Sequence, residues 1–111
     1  MSAQRFGAIH FTDQTKETWL TLMTGTPLFD KTAMISICNQ TNAPVTVYLA
    51  YVVDPLVTEP KPEDYLVFYK TIPIYGNYHH PALAVQEDAR IMVWAGAAGV
   101  SAIAQGYQDE I

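Results

Sequence analysis

One cysteine, few charges and no long apolar run: each of these shortages closes off a class of protein. With Cys38 alone, no internal disulfide forms, and a structural zinc needs three or four ligands. A chain of 111 residues is the size of one domain. Such a domain buries roughly two-thirds of its unfolded surface, enough to stand without staples. Cys38 ends the run Ala33-Met34-Ile35-Ser36-Ile37-Cys38, where it reads as a small buried hydrophobe. No stretch approaches the ~18 apolar residues needed to cross a bilayer. The opening Met-Ser-Ala-Gln-Arg-Phe-Gly lacks the basic start and apolar stretch of a secretory signal. We therefore expect a soluble chain made in the cytoplasm, with no membrane partner.

Basic residues are scarce and scattered. Six Lys and Arg stand against eleven Asp and Glu, a net charge of −5 with His neutral. No segment gathers enough positive charge to hold a phosphate backbone, so nucleic acid is not an expected partner. Charged residues reach only 15%, where a soluble domain carries about 25%. Hydrophobic residues make up 50%, with seven tyrosines and two tryptophans. A small domain has much surface to cover and this one has few charges for it. Interfaces are poor in charge and rich in Tyr, Trp and Met, so part of the surface is expected to meet other protein.

Alternation, β-branched and aromatic residues, and turn residues between runs mark the strands. Residues 17–24 alternate and stop at Gly25 and Pro27. In 31–39, Ala33, Ile35 and Ile37 share a face opposite Met34, Ser36 and Cys38. Residues 44–53 set Val45, Val47, Leu49, Tyr51 and Val53 against Thr46, Tyr48 and Ala50, a period of two that no helix fits. Asp54 to Asp64 carries Pro55, Pro60 and Pro62 among charges and reads as an exposed loop. Tyr65 to Ile74 resumes the strand signal, with Leu66, Phe68 and Lys70 facing away from Tyr65, Val67 and Tyr69. Pro73 confines that strand to an edge or ends it.

Gly76 to Pro81 reads as a turn region. The alanine-rich 82–105 reads as strands 90–95 and 100–105 joined as a hairpin by Gly96-Ala97-Ala98-Gly99, with a helix across the region as the alternative that its alanines leave open. Six to eight short strands without a helix predict an antiparallel β-sandwich, Ig-like or jelly-roll-like. Residues 17–111 form its single domain. The first sixteen, with Phe6 and Phe11 in no sustained period, read as an N-terminal arm that orders on docking.

The chemistry-bearing residues point away from catalysis. His79 and His80 are neighbours that a strand would turn to opposite faces, and His10 is distant, so no metal site is expected. The acids at 54–64 lie among prolines with no glycine, unlike a calcium loop, and lack the rigid placement of glycosidase carboxylates. Ser36 and Ser101 sit inside apolar strands, where a hydroxyl usually meets backbone. Asn39-Gln40-Thr41 reads as turn residues. No nucleophile elbow, phosphate-cradling loop or dinucleotide fingerprint is present. No enzyme, cofactor or metal is expected. Trp19 and Trp94 are candidates for stacking on sugar or for packing in an interface.

The order of motifs resembles a group of small virion proteins encoded among the structural genes of tailed bacteriophages. The matching elements are Thr21-Leu22-Met23-Thr24, Lys31-Thr32-Ala33, Ile37-Cys38-Asn39, the strand from Val45 to Leu49, and Tyr65-Leu66. Glu87-Asp88-Ala89-Arg90-Ile91-Met92-Val93-Trp94-Ala95 and Gly99-Val100-Ser101-Ala102 follow and are the most specific part. Met23 stands where an aromatic is usual, and the loop at 54–64 is longer than usual. The resemblance implies a non-enzymatic structural protein of the virion. Its partners would be itself, as a homo-oligomer, and other virion proteins, in capsid decoration, neck, baseplate or fibre attachment. Phe6, Phe11, Trp19, Met92 and Trp94 are the candidate assembly contacts. The alternative is a carbohydrate-binding module for a host-surface glycan.

Two measurements test this reading. Far-ultraviolet circular dichroism should show a β spectrum without a helical double minimum. Val93→Asp should unfold the domain, since a buried unpaired carboxylate costs several kcal/mol, while Trp94→Ala leaves it folded.

Overall fold

Alternating apolar residues become strands here because each strand has one face to bury. A computed structural model of the chain describes residues 2–54 and 56–110; Met1, Pro55 (assigned above to the loop) and Ile111 lie outside the described residues. Eight strands follow in order: β1 (Ser2–His10), β2 (Trp19–Thr24), β3 (Phe29–Asn39), β4 (Val45–Val52), β5 (Tyr65–Ile72), β6 (Asn77–Val85), β7 (Arg90–Ala95) and β8 (Val100–Glu110). One 3-10 turn, Pro62–Asp64, is the only helical element among the described residues.

The strands form two four-stranded antiparallel sheets ordered β1-β8-β3-β6 and β2-β7-β4-β5. That order is the jelly-roll arrangement, not the Ig one. Six of the seven connections pass from one sheet to the other, and β4–β5 alone stays within a sheet. The predicted terminal hairpin is therefore corrected. Arg90–Ala95 lies between β2 and β4, while β8 lies between β1 and β3, so the turn at 96–99 crosses between sheets.

Alternation places the core as expected. Ala33, Ile35 and Ile37 of β3, Val45, Val47 and Leu49 of β4, and Ile91, Val93 and Ala95 of β7 are buried between the sheets. Ala102 and Ala104 of β8 complete the layer from the first sheet.

The predicted arm is an edge strand instead. β1 pairs with β8 from Ser2↔Gln108 to His10↔Ser101, and Phe11 beyond it is fully buried. An extra residue at Phe6 breaks the period, which hides the strand from a reading by alternation. Gly7 brings β1 against the other sheet, since a Cβ there would lie 1.9 Å from the Leu22 carbonyl oxygen. The predicted turn at 76–81 is likewise strand β6, with Pro81 tolerated at an irregularity on a sheet edge.

The register is unbroken between β3 and β8 and between β4 and β7, the two inner pairs. Each of the four edge strands carries extra residues against its inner neighbour, one in β1, β2 and β6 and two in β5. Such bulges twist an edge and spoil it as a template for another chain.

One buried polar side chain ties the sheets together. Asn39, at the end of β3, is fully buried. Its Nδ2 donates to the carbonyls of Ala43 at 2.8 Å, Ile72 at 3.2 Å and Pro73 at 3.1 Å. Its Oδ1 accepts from Thr41 N at 2.9 Å and Thr41 Oγ1 at 2.7 Å. The turn that begins Asn39-Gln40-Thr41 is thus an internal clamp.

Asn39→Ala should lower stability by about 3 kcal/mol, because several part-buried groups lose their partner. For a domain of this size that is a fall in Tm on the order of 15 °C, measured by thermal melting.

Candidate functional site

The outer face of the β2-β7-β4-β5 sheet divides into a covered half and an open half. Ala50, Val52 and Met92 face outward from β4 and β7 yet are buried, because Val57 and Trp19 pack against them. The 54–64 segment is largely exposed, as expected, but its Val57 supplies part of that cover. The Arg90 guanidinium fastens it by donating from Nη2 to the carbonyls of Asp54, at 3.1 Å, and Val57. Asp64 and Lys61 close the far end, where the Lys61 N–H donates to Asp64 Oδ2 at 2.9 Å.

On the open half, six aromatic residues form one surface. Trp19 and Trp94 are register partners across β2 and β7, and Trp94 and Tyr48 across β7 and β4. Tyr65, Phe68 and Tyr69 of β5 extend the row to the sheet edge. Tyr48 is the hub. Its ring centroid lies 5.0 Å from Trp94, 5.1 Å from Phe68, 5.9 Å from Tyr65, 6.2 Å from Tyr69 and 6.3 Å from Trp19. The rings meet tilted or edge to face, the arrangement their quadrupoles favour.

The edge-strand bulge builds part of this surface. Val47 pairs with Lys70 and Leu49 with Val67, so β5 spends an extra residue opposite Tyr48. Phe68 and Tyr69 both come to lie against Tyr48 there, and the predicted alternation of 65–70 fails at that point. Tyr69 sits at φ 57°, a left-handed conformation that costs an ordinary residue about 1–2 kcal/mol. Phe68 remains 67% and Tyr69 64% exposed. Glu17, at φ 60°, stands with Thr46 in a shallow groove beside Tyr69 and Trp94.

The five predicted contact residues separate on this geometry. Trp19 and Trp94 belong to the aromatic surface, half-buried. Phe11 is core, and Met92 is covered by the 54–64 segment, so neither presents a contact surface. Phe6 packs against the core, with Lys31 Nζ 5.1 Å from its ring centroid. Tyr48, Tyr65, Phe68 and Tyr69 were not singled out from the sequence. Alternation set Tyr48 opposite a Val-rich face and put Tyr65, Phe68 and Tyr69 on a strand, but it gave none of them a role.

The other outer face, on β1-β8-β3-β6, mixes serine and histidine with exposed Met34 and Tyr107. Ser36 Oγ lies 2.9 Å from His79 Nδ1, and Ser101 Oγ lies 2.7 Å from His10 Nδ1. Both serines therefore meet histidine side chains rather than backbone. Ser101 Oγ also donates to Gln40 Oε1 at 2.9 Å. His79 and His80 lie on β6 rather than in a loop, and His80 Nδ1 is 2.9 Å from the Pro81 carbonyl. Cys38 is only partly buried on this side. Among the described residues no three His, Cys, Asp or Glu side chains gather as a metal site.

Comparison with known proteins gave no matching family model, curated protein or solved structure.

Arg90→Met should free the 54–64 segment while keeping the β spectrum. Limited thermolysin digestion should then cut the Leu56–Val57 bond faster than in the parent. Equal cleavage rates would show that the guanidinium does not hold the segment down.

Proposed function

We propose that this protein is a non-enzymatic structural component that works by assembly, docking other protein on the aromatic face of its second sheet. The observation that carries the reading is the continuous row from Trp19 through Trp94 and Tyr48 to Phe68 and Tyr69, open to solvent and held partly by backbone strain at Tyr69. A strained residue persists where its surroundings over-determine it, and such residues cluster at functional positions. Tyr69 keeps a large exposed ring where glycine would fit without strain. Low charge and abundant Tyr agree with an interface.

The virion of a tailed bacteriophage is the setting this reading favours. Its support is the order of strand motifs, above all Glu87–Ala95 and Gly99–Ala102, together with a jelly-roll topology that viral capsid domains use. Fold alone does not carry the assignment, since lectin domains share it. The glycan-binding reading draws on the groove where Glu17 and Thr46 join Tyr69 and Trp94. The aromatic face favours assembly because its rings pack edge to face on one another rather than presenting a flat shelf.

Tyr69→Gly is the decisive variant. It removes an exposed ring and relieves the left-handed strain, so Tm should hold or rise. Incorporation into the assembled particle, measured by competition with the parent chain, should fall at least tenfold. Undiminished incorporation would remove the aromatic face from assembly. Loss of binding to a glycan array, with incorporation intact, would favour the carbohydrate reading instead.

A further inference from the structure

Resting on the assembly reading, we propose that the occupant of the aromatic face is a second copy of this chain. The two copies pack face to face and antiparallel, about a two-fold axis that lies in the interface and runs across the strands. Three observations lead there.

The first is what the edges exclude. All four edge strands are bulged, so pairing edge to edge with another copy would meet a broken ladder on either sheet. Association through a face remains, and the open half of the second sheet is the face that gathers the aromatic rings.

The second is where the charge lies. Strands alternate strictly up and down, so the loops at 25–28, 53–64 and 86–89 share one end of the sandwich with the start of β3 and the end of β8. That end holds nine of the eleven carboxylates, at 30, 54–64, 87–88 and 109–110. The opposite end, with the loops at 11–18, 40–44, 73–76 and 96–99, holds only Asp13 and Glu17, with Lys16 beside them. The aromatic face abuts this charge-poor end through Glu17, Pro44, Gly96 and Ala97. A chain of net charge −5 that binds itself must keep its acids apart. The antiparallel pairing overlaps the charge-poor halves and points the acidic ends in opposite directions along a 44 Å molecule. A separation beyond about 10 Å is then well screened by salt. A strongly basic partner would seat on the acidic end instead, away from the rings.

The third is area. At ~200 Å² for a ring-bearing residue, the exposed fractions of Phe68 and Tyr69 leave about 260 Å² open between them. The four half-buried rings enlarge that patch. A stable dimer buries ~800 Å² on each partner, so the rings supply its apolar core. Thr21, Thr46, Thr71 and Glu17 supply a polar rim of the kind such interfaces carry.

Sedimentation equilibrium of the purified full chain across the micromolar range tests this directly. The parent should be a dimer whose dissociation constant changes little between low and high salt. Phe68→Ser should weaken it about a thousandfold, because one aromatic anchor is worth roughly thirtyfold and an isologous contact loses it twice. Tyr69→Gly should weaken it in the same direction, and Tyr107→Ser, on the other sheet, should leave it unchanged. A parent that stays monomeric throughout overturns the second copy as occupant, and so does a dimer indifferent to Phe68→Ser. Particle incorporation separates the two readings. A monomeric parent whose Tyr69→Gly variant is still lost from the particle keeps the assembly function and gives the face to a different protein.

Discussion

The Asn39 amide reaches strands of both sheets from a fully buried position. Its nitrogen serves carbonyls at the entry to β4 and the exit of β5, while its own backbone belongs to β3. Burying that amide is tolerable only because every one of its polar atoms is matched. The match sets where β5 ends against β3, and the position of β5 sets where Phe68 and Tyr69 stand. The aromatic surface therefore depends on a polar contact on the opposite side of the sheet from it. Hydrophobic packing between the sheets is less selective, since a layer of Val, Ile and Ala slides more readily than a matched amide does.

Edges and faces divide the work of specificity in this molecule. The inner pairs β3·β8 and β4·β7 keep an unbroken ladder and carry the sandwich, while irregularity is confined to strands with one free side. At β5 the same irregularity has a second use. The residue that spoils the edge is the residue that doubles the aromatic side chains opposite Tyr48. One inserted residue thus breaks the edge ladder and enlarges the aromatic surface.

Much of the core was legible because a half-buried strand must alternate. Residues 31–39, 44–53 and 90–95 show the period, and the predicted inward residues Ile35, Val47, Leu49, Ile91 and Val93 are buried. Legibility failed wherever the period broke. The extra residue at Phe6 disguised β1 as an arm, and Pro81 with paired histidines disguised β6 as a turn. Sheet membership was also hidden, since β7 and β8 alternate identically whether they pair with each other or part. Met92 was placed on the correct side of its strand, but a distant segment covers that side. The aromatic surface gathers residues from 19 to 94, and only the strand order β2-β7-β4-β5 makes them neighbours. Trp19 and Trp94 stood out by type; Tyr48, Tyr65, Phe68 and Tyr69 did not.

The strand order has a kinetic side. β8 is the second strand of its sheet in space and the last in sequence, flanked by β1 and β3. Until it is synthesised, β1 has no partner in its sheet and β3 has only β6. The second sheet, by contrast, is complete once β7 has emerged. A growing chain would therefore possess its aromatic sheet before the layer that covers the inner face of that sheet is closed. Closing a contact between β1 and β8 spans nearly the whole chain, and such non-local closure slows folding. During that interval both faces of the second sheet are sticky, and the nascent chain is most exposed to premature association.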